Sequence, residues 1–212
     1  MRNFTFNILV SLAAAFPLAV AQSDCVYDVQ SPPFHLKLTS DDARLNGTTL
    51  VSVHAGPPFR QLISDAWLKD ANPDYNQSAI SVNFYYNTTS TNDPNRYCLP
   101  GKLHWAPEQS WPSVFGIISS LASNVQPVEV SPMQGDGSGV QFDEVGKLFQ
   151  RARSYSPVKQ EEEGFNLNYY KWFICATYYG TGYRYGDALT WVAGGEPDGK
   201  NCRAVNVTRE WV

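Results

Sequence analysis

The stretch YYKWFICATYYGTGYRYG, Tyr169 to Gly186, sets eight aromatic residues and one cysteine into eighteen positions. Read with a period of two, one parity is Tyr170, Trp172, Ile174, Ala176 and Tyr178, all apolar or aromatic. The other parity mixes Tyr169, Lys171, Phe173, Cys175, Thr177 and Tyr179. Successive side chains of a strand point to opposite faces, so this pattern predicts a β-strand with one face in the core. Gly180-Thr181-Gly182 breaks the strand, and DALTWVAGG supplies a partner with Leu189, Trp191 and Ala193 on one face. Tyr183 and Tyr185 follow the break on a turn, where burial is not required of a ring.

Similar alternation recurs along the chain. Phe34, Leu36 and Leu38 alternate with His35 and Lys37 behind Pro32-Pro33, and Ile80, Val82, Phe84 and Tyr86 alternate with polar neighbours. Val205 and Val207 do the same around Asn206 near the C-terminus. Asn46-Gly47 predicts a hairpin joining the first of these strands to a second at 48–53, and VQFDEVGKLFQ predicts another turning at Glu144 to Gly146. SVFGIISSL satisfies neither period strictly and is read as strand. One helix is predicted in PPFRQLISDAWLKD, where Phe59, Leu62, Ile63, Ala66 and Trp67 keep helical spacing behind Pro58. Residues 90–112 read as a long connection with a short strand near Leu103. About seven to nine short strands with one short helix predict a mainly β, antiparallel, sandwich-like single domain.

The N-terminus carries Arg2, an uncharged apolar run and Ala19-Val20-Ala21, which together predict a secretory signal peptide over 1–21 and a mature domain over 22–212. No later run is long and apolar enough to span a membrane, so a secreted, extracellular protein is expected. The four cysteines suit oxidising surroundings. Three pairings are possible; the positions of Cys175 on a strand and Cys202 just before another favour joining those two, which leaves Cys25 with Cys98. N-linked glycosylation acceptors stand at Asn46, Asn76, Asn87 and Asn206. Without a CxxC or a Cys/His cluster no metal or cofactor is expected. A net charge of -4 with no basic stripe argues against nucleic acid as a partner.

The segments YYKWFICATYY, ALTWVAGGEPDGKNC and AVNVTREWV, with SPPFHLKL, LNGTTL and VQFDEVGKLF, resemble a group of small secreted proteins of filamentous fungi whose function is unassigned. The resemblance runs from about Ser31 to the C-terminus. It implies secretion and β-structure, it agrees with the Cys175 and Cys202 pairing, and it assigns no catalytic residue.

Two function classes follow. The first is a non-catalytic binding or interaction module for cell-wall carbohydrate, or for a host or wall protein. Its candidate ligand-binding rings are Tyr183, Tyr185, Trp105 and Trp111, because exposed flat rings stack on sugar faces. The alternative is an extracellular hydrolase acting on polysaccharide. GDGSG at 135–139 places its serine one position late for a nucleophile elbow, and no strand shows an inward Glu-x-Glu or Glu-x-Asp pattern. Of the three histidines, His104 beside Trp105 is the most suggestive. No catalytic residue is assigned.

Overall fold

A computed structural model describes residues 27–55, 59–71, 82–90, 101–105, 113–119, 122–132, 139–153, 166–179, 183–199 and 201–212. The expected signal peptide at 1–21, Cys25, Asn76, Cys98 and Trp111 lie outside these residues. In chain order the elements are β1 (Val29–Gln30), β2 (Phe34–Thr39), β3 (Leu50–His54), β4 (Arg60–Ser64), α1 (Asp65–Ala71), β5 (Phe84–Thr88), β6 (Lys102–Trp105) and β7 (Ser113–Ile117). They continue with β8 (Val125–Ser131), β9 (Val140–Phe142), β10 (Leu148–Arg153), β11 (Asn166–Tyr169), β12 (Trp172–Tyr179), β13 (Tyr183–Val192) and β14 (Arg203–Trp211). Among the described residues the fold is mainly β and antiparallel, as the alternation predicts, with one short helix.

Eleven strands form one sheet in the order β1-β5-β2-β14-β12-β13-β4-β8-β7-β6, with β3 beside β4. The sheet closes on itself, because β6 at one end of that order pairs with β5 near the other through Phe84 to Trp105 and Asn87 to Lys102. The two facing layers are therefore opposite walls of one barrel, and closure leaves fewer free edges. Alternate residues point inward from each wall: Phe34, Leu36 and Leu38 from β2, Val205 and Val207 from β14, Trp172 and Ile174 from β12, Val128 and Val130 from β8. Burying such side chains contributes roughly 1.5–3 kcal/mol each before chain entropy is set against it. The core parity read from Tyr170 holds at Trp172 and Ile174 and fails at Tyr170 and Ala176, which are exposed; the strand bulges between Cys175 and Thr177, and the Tyr178 side chain lies outside the described residues.

A second sheet, β11-β10-β9, packs on this barrel. Val140 and Leu148 enter the same core, and Phe142 meets Phe34 edge-on at 5.4 Å. The predicted hairpin is β9–β10, turning through Gly146 at φ 80. Tyr86 donates its hydroxyl to the Val140 carbonyl at 3.0 Å, and burial pushes this phenol well above its ordinary pKa.

Two predictions are corrected. The helix is half as long as its periodicity suggests, since Arg60–Ser64 is strand β4 and only Asp65–Ala71 is helical. β4 pairs with β3, β8 and β13 and is buried on both sides, so its apolar residues satisfy either period. Ser64 then caps the helix by accepting from Ala66 N at 3.2 Å. Trp67 and Leu68 of the helix cover a smaller apolar cluster of Val51, Ile63 and Ala188. The Asn46-Gly47 corner does turn the chain, with Gly47 at φ 78, but the strands beyond it share only the Lys37 to Thr49 bridge. β3 leaves to pair with β4, while β2 pairs with β14 and β5.

Candidate functional site

β14 is the floor of a groove on the outer wall of the barrel. Asn206 lies opposite Thr39 at the end of β2, and the Ser40 hydroxyl donates to the Ala204 carbonyl at 2.9 Å, so residues 39–41 run along one side. On the other side Val205 pairs with Trp172 and Ala204 with Phe173, which brings in residues 170–173. The space between these walls is about 310 Å³. That is near the lower end of small-ligand sites.

The groove carries hydrogen-bonding groups and a carboxylate beside a held aromatic ring. Tyr170 is 38% exposed. Its hydroxyl donates to Asp143 Oδ2 at 3.0 Å, and its ring leans on Phe149 at 5.7 Å. Partial burial and the Asp143 carboxylate raise the Tyr170 pKa, which keeps the phenol protonated. Lys171 is turned away, donating to the Gly195 carbonyl at 3.2 Å. Thr39, Asp41 and Asn206 present a hydroxyl, a carboxylate and an amide to the opening. A fixed ring beside spaced donors and acceptors suits a polyol with an apolar face better than an ion.

A second hollow of about 440 Å³ adjoins it, bounded by Ala176, Asp187, Asn201, Cys202 and Arg203. Cys175 and Cys202 are joined there by a disulfide, the pairing expected from sequence. The Arg203 guanidinium pairs with Asp187 and, at 3.3 Å, with Asp42. The Arg44 backbone N–H foremost, and Arg203 after it, hold the Asp42 carboxyl below its usual value. Asp187 has φ 60 and is the one non-glycine with positive φ among the described residues. Aspartate tolerates this left-handed region better than most residues, and Asp187 adopts it beside its ion pair with Arg203 and opposite the bulge in β12.

Of the four rings singled out from sequence, Trp105 alone has a described side chain. Trp105 is 5% exposed and points into the barrel from β6, with the Arg60 guanidinium 4.3 Å over its ring. It is covered, because β6 turns both Leu103 and Trp105 inward. Tyr183 and Tyr185 lie on β13, opposite Tyr179 and Thr177, and not on a turn; their side chains are outside the described residues, as is Trp111. Trp105 is not among the residues that line the groove.

His104 lies on β6 with both ring nitrogens buried and without a hydrogen-bond partner. Burial, then the Lys102 charge, lowers its pKa, so the ring is neutral at neutral pH. Gln61 on β4 was not anticipated: it is fully buried, its amide atoms lack partners, and it faces Glu129 across β8. Its apolar neighbours Leu62 and Ile63 give no sequence signal of a polar burial. Among the acceptor asparagines, Asn46 is exposed at its corner, whereas Asn87 and Asn206 are half-buried on β5 and β14. Among the described residues no group of His, Cys, Asp and Glu is arranged to hold a metal, and no helix is long and apolar enough to cross a membrane.

An antiparallel barrel with a shallow polar groove on its outer wall is the class this structure defines. The chain belongs to the family described as Domain of unknown function (DUF7907), which matches residues 31–211. No curated protein and no solved structure matches it.

Proposed function

We propose that this chain is a non-catalytic extracellular binding module of filamentous-fungal type, and that it holds a cell-wall saccharide in the groove over β14. The observation that carries this reading is Tyr170: an accessible ring, fixed by Asp143 and Phe149, set across from Thr39, Ser40 and Asp41. A ring immobilised before binding loses little conformational freedom when a sugar stacks on it. The expected signal peptide over 1–21, the Cys175–Cys202 disulfide and the glycosylation acceptors support an exported protein.

Co-sedimentation with insoluble chitin, β-glucan and cellulose tests the reading. At least one polymer should retain the protein produced free of N-linked glycan, and Tyr170→Ala should weaken that retention by roughly tenfold, which corresponds to about 1.4 kcal/mol. Retention on none would overturn it, as would normal retention of Tyr170→Ala. Release of soluble sugar, abolished by Asp41→Asn, would assign the protein to the hydrolases instead.

A further inference from the structure

Asn206 is both a wall of the groove and an acceptor for N-linked glycan, in the triplet Asn206-Val207-Thr208. Val205 and Val207 are buried in the barrel, so alternation turns Asn206 and Thr208 to the outer side of β14. A sugar joined to Asn206 Nδ2 therefore starts inside the groove. The Asn206 side chain makes no hydrogen bond among the described residues. By contrast, the Asn124 amide donates to two carbonyls, those of Gly194 and Glu196. Asn46, the exposed acceptor, lies off the groove with its carbonyl taken by Ser40 N at 3.3 Å.

We infer that the groove seats the chain's own N-linked glycan on Asn206, with the first N-acetylglucosamine rings against Tyr170 and the Thr39–Asp41 wall. This inference rests on the groove's being a saccharide site. Tethering decides which sugar fills it. A covalently held ligand acts at an effective concentration on the order of millimolar. A free saccharide that binds no more tightly than that cannot displace it. The tethered sugar occupies the same walls that a saccharide in trans would use. Glycan occupancy at Asn206 then controls whether the groove takes a ligand in trans.

The test uses the full chain secreted from a eukaryotic host. Peptide mass spectrometry should find glycan on Asn206. Peptide-N-glycosidase should release it from the native wild type roughly tenfold more slowly than from native Tyr170→Ala, as a seat filled about nine-tenths of the time would give. Thr208→Ala, which removes the acceptor without altering a groove residue, should bind the retaining polymer more tightly than wild type. An unmodified Asn206, or equal release from wild type and Tyr170→Ala, would overturn the inference. A protected glycan upholds the seat even where Thr208→Ala is retained by no polymer; that second result sinks only the reading of an external ligand.

Discussion

The indole N–H of Trp172 donates to the Leu148 carbonyl at 2.7 Å, and this bond ties the closed sheet to the three-stranded one. The same side chain meets Phe115 edge-on at 6.0 Å inside the barrel and also contributes to the groove. Trp172→Phe keeps most of the ring but leaves a carbonyl short of its donor, which costs about 1–3 kcal/mol. Trp172→Ala empties the site and costs about 3–5 kcal/mol. Urea unfolding should show the midpoint falling in that order. Equal midpoints for Trp172→Phe and wild type would show that the bond contributes nothing to joining the sheets.

The Cys175–Cys202 disulfide spans 27 residues. Restricting the unfolded chain over such a loop is worth about 2–4 kcal/mol, so the double variant Cys175→Ala, Cys202→Ala should lose that much. A thermal melt of wild type in reductant should fall toward the melt of the double variant. Coincident melts of wild type with and without full reduction would contradict this.

Asp187 has two roles that substitution separates. Asp187→Asn keeps a residue that tolerates the left-handed backbone and loses only charge. Asp187→Ala loses the partner of Arg203 and adds backbone strain of roughly 1–2 kcal/mol. The alanine variant should therefore be less stable than the asparagine variant by about that amount in denaturant unfolding. The reverse order would mean that the backbone at 187 relaxes at no cost.

Strand alternation made much of this barrel legible. Phe34, Leu36 and Leu38 and the pair Val205 and Val207 point inward as their spacing predicts. β4 escaped because a strand buried on both sides loses its alternation, and Leu62 and Ile63 then mimic a helix leading into Trp67. The groove was not legible at all. Thr39 to Asp41, Tyr170 to Phe173 and Ala204 to Asn206 are far apart in sequence, and only the pairing of β14 with both β2 and β12 brings them together. Parity places Tyr170 in the core; it is exposed because it precedes β12, where the chain comes out of β11. Trp105 illustrates the opposite error, since a tryptophan in a segment rich in Asn and Pro still turns inward when a short strand requires it.

His104 should make stability depend on pH. Its folded pKa lies below the ordinary 6.5, so the unfolded chain takes up the proton at higher pH than the folded one. The stability associated with a neutral His104 is then complete above about 6.5 and is lost progressively as pH falls toward the depressed folded value. His104→Gln should flatten that part of a melting-temperature profile taken from pH 8 down to about 5. Parallel profiles for variant and wild type would contradict the assignment.

The most direct measurement is an amide NMR titration of the chain without its Asn206 acceptor, Thr208→Ala, with a soluble oligosaccharide of the polymer that retains it. Shifts should concentrate on residues 39–41, 170–173 and 204–206 and should disappear in the added presence of Tyr170→Ala. Shifts centred instead on Tyr183 and Tyr185, or none at a saturating sugar concentration, would contradict saccharide binding over β14.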